Sequence, residues 1–275
     1  MNIGIRLHDT RPGTLRERLT YAAEQGFSCV QLAMGKAVPG FQMEEAPALL
    51  TEDLAAEVKE ELERAGMECA VLGCYLKLAA KDEEEALRVR KIYLAHLRFA
   101  ARIGARCTGT ETPPAASPEG SGCRTEEQYR LFLDRVKPVV REAEETGVTL
   151  AVEPVCSHII HSAETAERML EDLKSDHVRI ILDAVNLIDS AHTDWADELV
   201  RDAVRRLGDR VCVLHMKDFV PQPGADRPRP VPCGQGQMAY EPLLALAREK
   251  NLPMTLENTT PDNAEQTRSW LESQL

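Results

Sequence analysis

Several features are missing from this sequence of 275 residues, and each absence closes off a class of protein. No stretch approaches the ~20 consecutive apolar residues that a bilayer-spanning helix needs. The chain opens on a strand-like apolar run, Ile3 to Leu7, without the basic start and long apolar core of a secretory signal. A cytoplasmic protein is therefore expected, with no membrane partner. Low-complexity tracts are also absent, and with 43% hydrophobic and 28% charged residues the chain should fold throughout. The eight cysteines lack the paired spacing of a zinc site, and several lie inside apolar runs, as in Val211-Cys212-Val213. Reduced, mostly buried thiols are expected. No Lys/Arg stripe offsets the formal net charge of -12, which would repel a phosphate backbone, so nucleic acid is not an expected partner.

What is present is a repeated phrase. A short apolar run rich in Val, Ile, Leu and Cys is followed by a longer segment with apolar residues three and four apart, the alternation of βα units on a parallel sheet. Eight such runs can be counted: Asn2 to Leu7, Ser28 to Ala33, Glu68 to Tyr75, Arg106 to Glu111, Thr149 to Pro154, Arg179 to Asp183, Val211 to Met216 and Pro253 to Glu257. The segments between them read as amphipathic helices, among them Leu15 to Glu24, Leu54 to Ala65, Glu84 to Ile103, Thr125 to Thr146 and Ala163 to Leu173. Gly26, Gly66, Gly104, Gly147 and Gly208 recur where a helix should stop, each offering a left-handed cap. Eight units with no dividing linker predict an α/β fold, a (β/α)8 TIM barrel spanning residues 1–275 as one domain. Two Pro/Gly-rich stretches, Pro113 to Gly122 and Pro221 to Pro230, follow apolar runs and fall on the rim, either as substrate lids or as irregular loops.

In such a barrel, side chains at the C-terminal ends of strands share one mouth. Glu153, Asp183, His215 and Glu257 each close an apolar run. A buried carboxylate or imidazole needs a partner, which a divalent ion would supply; the alternative is a separate structural ion pair or hydrogen bond for each. Three carboxylates and one imidazole favour Mn2+, Mg2+ or Co2+, with Zn2+ also admissible.

The segments Leu150-Ala151-Val152-Glu153-Pro154, Ile181-Leu182-Asp183-Ala184-Val185-Asn186, Leu214-His215-Met216-Lys217-Asp218, Gly234-Gln235-Gly236 and Thr255-Leu256-Glu257-Asn258 together resemble the xylose isomerase-like barrels known as sugar phosphate isomerases/epimerases. In ketose 3-epimerases of that family, Glu, Asp, His and Glu after strands five to eight bind one metal ion. The resemblance implies that Glu153, Asp183, His215 and Glu257 are the ligands, and that Glu153 and Glu257 also act as base and acid. The implied reaction removes a proton beside the carbonyl of a small ketose or keto-polyol, through an enediolate stabilised by the ion.

Other residues near the strand ends are candidates for holding a sugar or polyol. Lys217 is placed to stabilise an enediolate or to pair with Asp218; Glu111 to hold hydroxyls or orient a ligand histidine; His8, His158 and His161 are working or ordinary loop histidines. Gly234 and Gly236 form either an anion cradle or a plain turn.

Two departures from the epimerase pattern bear on substrate and reaction. Asn186 replaces a histidine three residues after the strand-six aspartate, where it can still bond a hydroxyl, and no arginine follows His215 until Arg227. The related apurinic endonucleases need histidines where this chain has Tyr75, Lys77, Glu111 and Asn186, which argues against their trinuclear zinc site. The alternatives to an isomerase are a dehydratase of an inosose-like keto-polyol, as in inosose dehydratases of the same superfamily, and a sugar-binding barrel without turnover. Assembly as a homo-oligomer is left open.

Overall fold

The computed structural model describes residues 2–113 and 124–275. In chain order, eight barrel strands are β1 (Ile3–Arg6), β2 (Cys29–Leu32), β3 (Glu68–Gly73), β4 (Cys107–Glu111), β5 (Thr149–Glu153), β6 (Val178–Asp183), β7 (Val211–Met216) and, after the short hairpin strands β8 (Asp218–Val220) and β9 (Arg229–Val231), β10 (Met254–Leu256). They close in the order β1-β10-β7-β6-β5-β4-β3-β2, every pairing parallel. The eight apolar runs of the sequence correspond one to one with these strands, and the fold is a TIM barrel.

Around the sheet run α1 (Leu15–Glu24), α2 (Met34–Ala37), α3 (Ala46–Leu49), α4 (Glu52–Ala65), α5 (Glu83–Ile103), α6 (Glu126–Thr146), α7 (Ala163–Leu173), α8 (Ala196–Leu207), α9 (Glu241–Lys250) and α10 (Ala264–Ser273). Their starts are fixed chemically. Thr14, Thr51, Asp82, Thr125 and Ser162 each accept a hydrogen bond from the amide three residues on, satisfying a donor the helix leaves open. The predicted glycine caps hold at α4, α5 and α6, where Gly66, Gly104 and Gly147 are left-handed, and Gly26 has positive φ just beyond α1. Gly208 departs from the prediction: with φ of −51° it continues α8 into a 3-10 turn, Gly208–Arg210, rather than reversing the chain.

The barrel interior is layered by the two-residue period of its strands. Ala151, Ile181 and Val213 join Cys29, Ala70, Val71, Cys107 and Cys212 in a compact apolar cluster. Gly109 lets β4 pass this layer as bare backbone, because a Cβ there would lie 2.5 Å from Val71 Cγ1 and 2.8 Å from Ile181 Cδ1. Two residues further along the same strands come Glu111, Glu153, Asp183 and His215. Polar residues thus form the layer above an apolar floor. The seven described cysteines are free and buried, as expected, while Cys123 lies outside the described residues.

The rim stretch 114–122 also lies outside them. The second rim stretch, Pro221 to Pro230, is largely the turn of the β8–β9 hairpin, whose tip is fastened by a hydrogen bond from the Ser190 amide to the Asp226 carbonyl, 3.1 Å.

Candidate metal centre

Strands β5, β6, β7 and β10 are consecutive around the barrel, so their ends deliver Glu153, Asp183, His215 and Glu257 to one place. All four are buried. One donor atom each from Glu153, Asp183 and His215 lie within 4.8 Å of one another. Nδ1 of His215 is 3.1 Å from Glu153 Oε2 and 3.2 Å from Glu257 Oε1. Neither approach has hydrogen-bonding geometry, and both ring nitrogens of His215 are buried without an aligned partner. Burial alone would lower the His215 pKa, but the charges of Glu153 and Glu257 outweigh it and hold the value up at about 9.

Lys217 lies two residues beyond His215 and faces the same chamber. Its ammonium is 2.6 Å from Asp183 Oδ2 and 3.0 Å from Glu257 Oε2, and it donates to Asn186 Oδ1 at 3.1 Å. Burial pushes the Asp183 carboxyl up to about 6 despite Lys217. Glu257 goes the other way: burial opposes its charge, yet Lys217, His215 and Arg6 hold it well below the ordinary carboxylate range. Arg6 reaches it at 3.5 Å from β1.

The remaining candidates divide. Asn186 does sit in the chamber, with both ends of its amide engaged by the chain itself: Nδ2 donates to Glu153 Oε1, and Oδ1 accepts from Lys217 and, at 2.7 Å, from Arg227. Arg227, remote from His215 in sequence, thus comes back to the mouth on the hairpin. Glu111 lies at the end of β4 with His158 Nδ1 3.6 Å from its Oε2. Burial, reinforced by the Glu153 and Glu257 charges, pushes Glu111 up to about 8. His158 and His8 are both lowered to about 4, chiefly by burial, so they are neutral imidazoles. His161 is not brought to the mouth; its Nδ1 contacts the Ile159 carbonyl at 3.0 Å.

The glycine turn is not an external anion cradle. Gly234 and Gly236 donate their amides to Asp218 Oδ2 at 3.1 and 2.9 Å, and Phe219 and Met238 donate to Oδ1, so the anion they hold is the chain's own. This also disposes of a Lys217–Asp218 pair: the Asp218 oxygens are taken by these four amides, while the Lys217 ammonium lies at Asp183 and Glu257.

A cavity of about 390 Å3 opens above the centre, and Arg6, Gln31, Lys36 and Tyr75 line it with Glu257 and Lys217. These four were not singled out from sequence as binding residues. For three of them the usable signal was phase: Arg6 stands two residues after Gly4, Gln31 two after Cys29 and Tyr75 two after Gly73, the same offset that separates Val213 from His215; Lys36, on α2, carried none.

The sequence profile described as xylose isomerase-like TIM barrel matches residues 19–274. The chain belongs to this family. No curated protein sequence matches it significantly. Among solved structures, it is similar to the 3-keto-D-glucoside 4-epimerase YcjR of E. coli (19% identity, 99% of each chain covered, TM-score 0.77). It is similar also to the probable 3-DHS dehydratase AsbF of Bacillus anthracis (13% identity, 99% of each chain, TM-score 0.77). A third is the IOLI protein with a bound zinc atom (15% identity, 100% of this chain and 97% of that one, TM-score 0.73). At such identities the likeness is one of fold. The side chains present fit a divalent ion: one carboxylate oxygen each from Glu153 and Asp183 and an imidazole whose buried nitrogens lack aligned partners lie within 4.8 Å of one another, and Glu257 approaches the same imidazole at 3.2 Å. Among the described residues, no helix is long and apolar enough to cross a membrane.

Proposed function

We propose that this chain is a divalent-metal-dependent isomerase or epimerase acting on a small ketose or keto-polyol. The reading is carried by one observation, the convergence of Glu153, Asp183, His215 and Glu257 from four neighbouring strands. These four would hold the ion; the oxygen-rich set favours Mn2+, Mg2+ or Co2+, with zinc admissible. When bound, such an ion polarises a sugar carbonyl and acidifies the adjacent C–H. Glu257, kept ionised by Lys217, His215 and Arg6, is in the protonation state that can accept that proton. Glu153, steadied by the Asn186 amide, is the partner that exchanges a proton from the second carboxylate position. The Lys217 ammonium can donate a hydrogen bond to oxygen as negative charge develops on it, and burial of the whole group keeps bulk water from competing.

Turnover in heavy water with a panel of ketoses and keto-polyols tests the proposal. Deuterium in a product of unchanged composition supports it; absence of exchange and of product with the fully metal-loaded protein overturns it in favour of sugar binding without reaction. Dehydration is the second reading, favoured by Glu111. At the mouth and with its pKa pushed up to about 8, Glu111 retains a proton at neutral pH that a departing hydroxyl could take. Loss of water and appearance of an absorbing enone would select that reading.

A further inference from the structure

The cavity wall on the β1–β2 side carries unused polar groups. Lys36 is exposed on α2 and its ammonium makes no hydrogen bond or ion pair among the described residues, yet it lines the cavity that reaches Glu257 and Lys217. Gln31 is 3% exposed; its Nε2 donates to the Tyr75 hydroxyl at 2.7 Å, which leaves Oε1 buried and unpartnered. His8 likewise has a buried, unpartnered Nδ1. Buried polar atoms in such a state are satisfied by water or by a ligand. Charge adds direction. Among the described residues, the mouth sets Asp9, Glu153, Asp183, Glu257 and, when ionised, Glu111 against Arg6, Lys36, Lys217 and Arg227, so with Glu111 charged or neutral a divalent ion would make the balance net positive.

We propose that the cavity receives a sugar derivative with a terminal anion, carboxylate or phosphate, seated against Lys36 and His8 while Gln31 Oε1 and Tyr75 hold the neighbouring hydroxyl. This rests on the mouth being a sugar site and narrows the substrate class. Lys36 supplies the long-range attraction, His8 an imidazole N–H, and Gln31 the acceptor that a sugar hydroxyl needs for its proton. The reacting carbonyl then lies at the opposite end of the molecule, toward Lys217 and Glu257.

Calorimetric titration of the metal-loaded protein tests this with three probes sharing one hydroxyl chain: sorbitol, gluconate and sorbitol 6-phosphate. At least one anion is expected to bind about tenfold or more tightly than sorbitol. The advantage should shrink with added salt and vanish in Lys36→Ala. Whichever anion gains distinguishes a sugar acid from a sugar phosphate. Equal binding of sorbitol and both anions, no binding by either anion, or a preference that survives Lys36→Ala would each overturn the proposal, the last by locating the anion at the ion itself. Lys36 is exposed on a short helix, and an unchanged melting temperature of the variant excludes misfolding as the cause. None of the probes has a reactive carbonyl, so this outcome is independent of deuterium exchange: either result can fail while the other stands.

Discussion

A carboxylate and an imidazole 3.1 Å apart in a buried chamber hold a proton until a stronger cation displaces it. His215, held up at about 9, is protonated in the metal-free protein at neutral pH, and an ion must expel that proton to gain the nitrogen. Titration of the metal into the protein, repeated in buffers of different ionisation heat, is therefore expected to release about one proton per ion near pH 7, with apparent affinity rising toward pH 9. The same groups set the stability of the metal-free form. A His215 pKa raised above its ordinary 6.5 contributes stability that is present below about 6.5 and lost as pH rises to about 9. Asp183 and Glu111, raised to about 6 and about 8, bind protons more tightly when folded and act in the same direction over lower pH ranges. Below about 6.5 the neutral His8 and His158, each lowered to about 4, act in the opposite direction, so it is between pH 7 and 9 that the melting temperature of the metal-free protein should fall, less steeply with metal bound; a rising profile in that window would contradict the account. Glu257→Gln keeps the shape and removes the charge, and is expected to lower kcat about 10²–10⁴-fold while weakening metal retention, read by kinetics and elemental analysis. At this scale the sequence announced the acids and the imidazole because each ends an apolar run. It did not announce Arg6 or Gln31, which sit inside such runs, or Tyr75, which closes one without a charge, and all three are marked only by their phase.

Among the elements, the β8–β9 hairpin has the least sequence signal and a large effect on the mouth. Its strands are three residues each, too short for periodicity, and the Arg227–Asn186 bond spans 41 residues of chain. Asp218 is its fastening, accepting four backbone amides, and Gly236 is the residue that permits the approach: a Cβ there would lie 2.1 Å from the Phe219 carbonyl oxygen. Removing the acceptor strands buried donors, so Asp218→Ala is expected to destabilise the protein by about 2–4 kcal/mol. Hydrogen exchange should locate the loosening at Phe219 and Gly234 to Met238, with Arg227 released from Asn186. Helix ends were more legible. Capping threonines and glycines stand at fixed phase in the sequence, and Gly208 misled because α8 runs on into a 3-10 turn, a backbone choice that glycine permits but does not dictate.

For the whole molecule, counting apolar runs was enough to anticipate a barrel, since eight βα units have one common way to bury both faces of a parallel sheet. The content of the interior needed coordinates. Below Glu153, Asp183 and His215 lies the layer of Ala151, Ile181, Val213, Val71 and the buried thiols, with no polar side chain in that cluster. Traffic is thereby restricted to a single doorway: whatever enters the chamber leaves by the face on which the cavity opens. On the proposed function, occupancy would be sequential, the ion first and the organic ligand after it, like a stopper behind a stone. Chelator-driven loss of the ion should slow when the mouth is filled by a tight ligand, and a dissociation rate indifferent to ligand concentration would reveal a second exit.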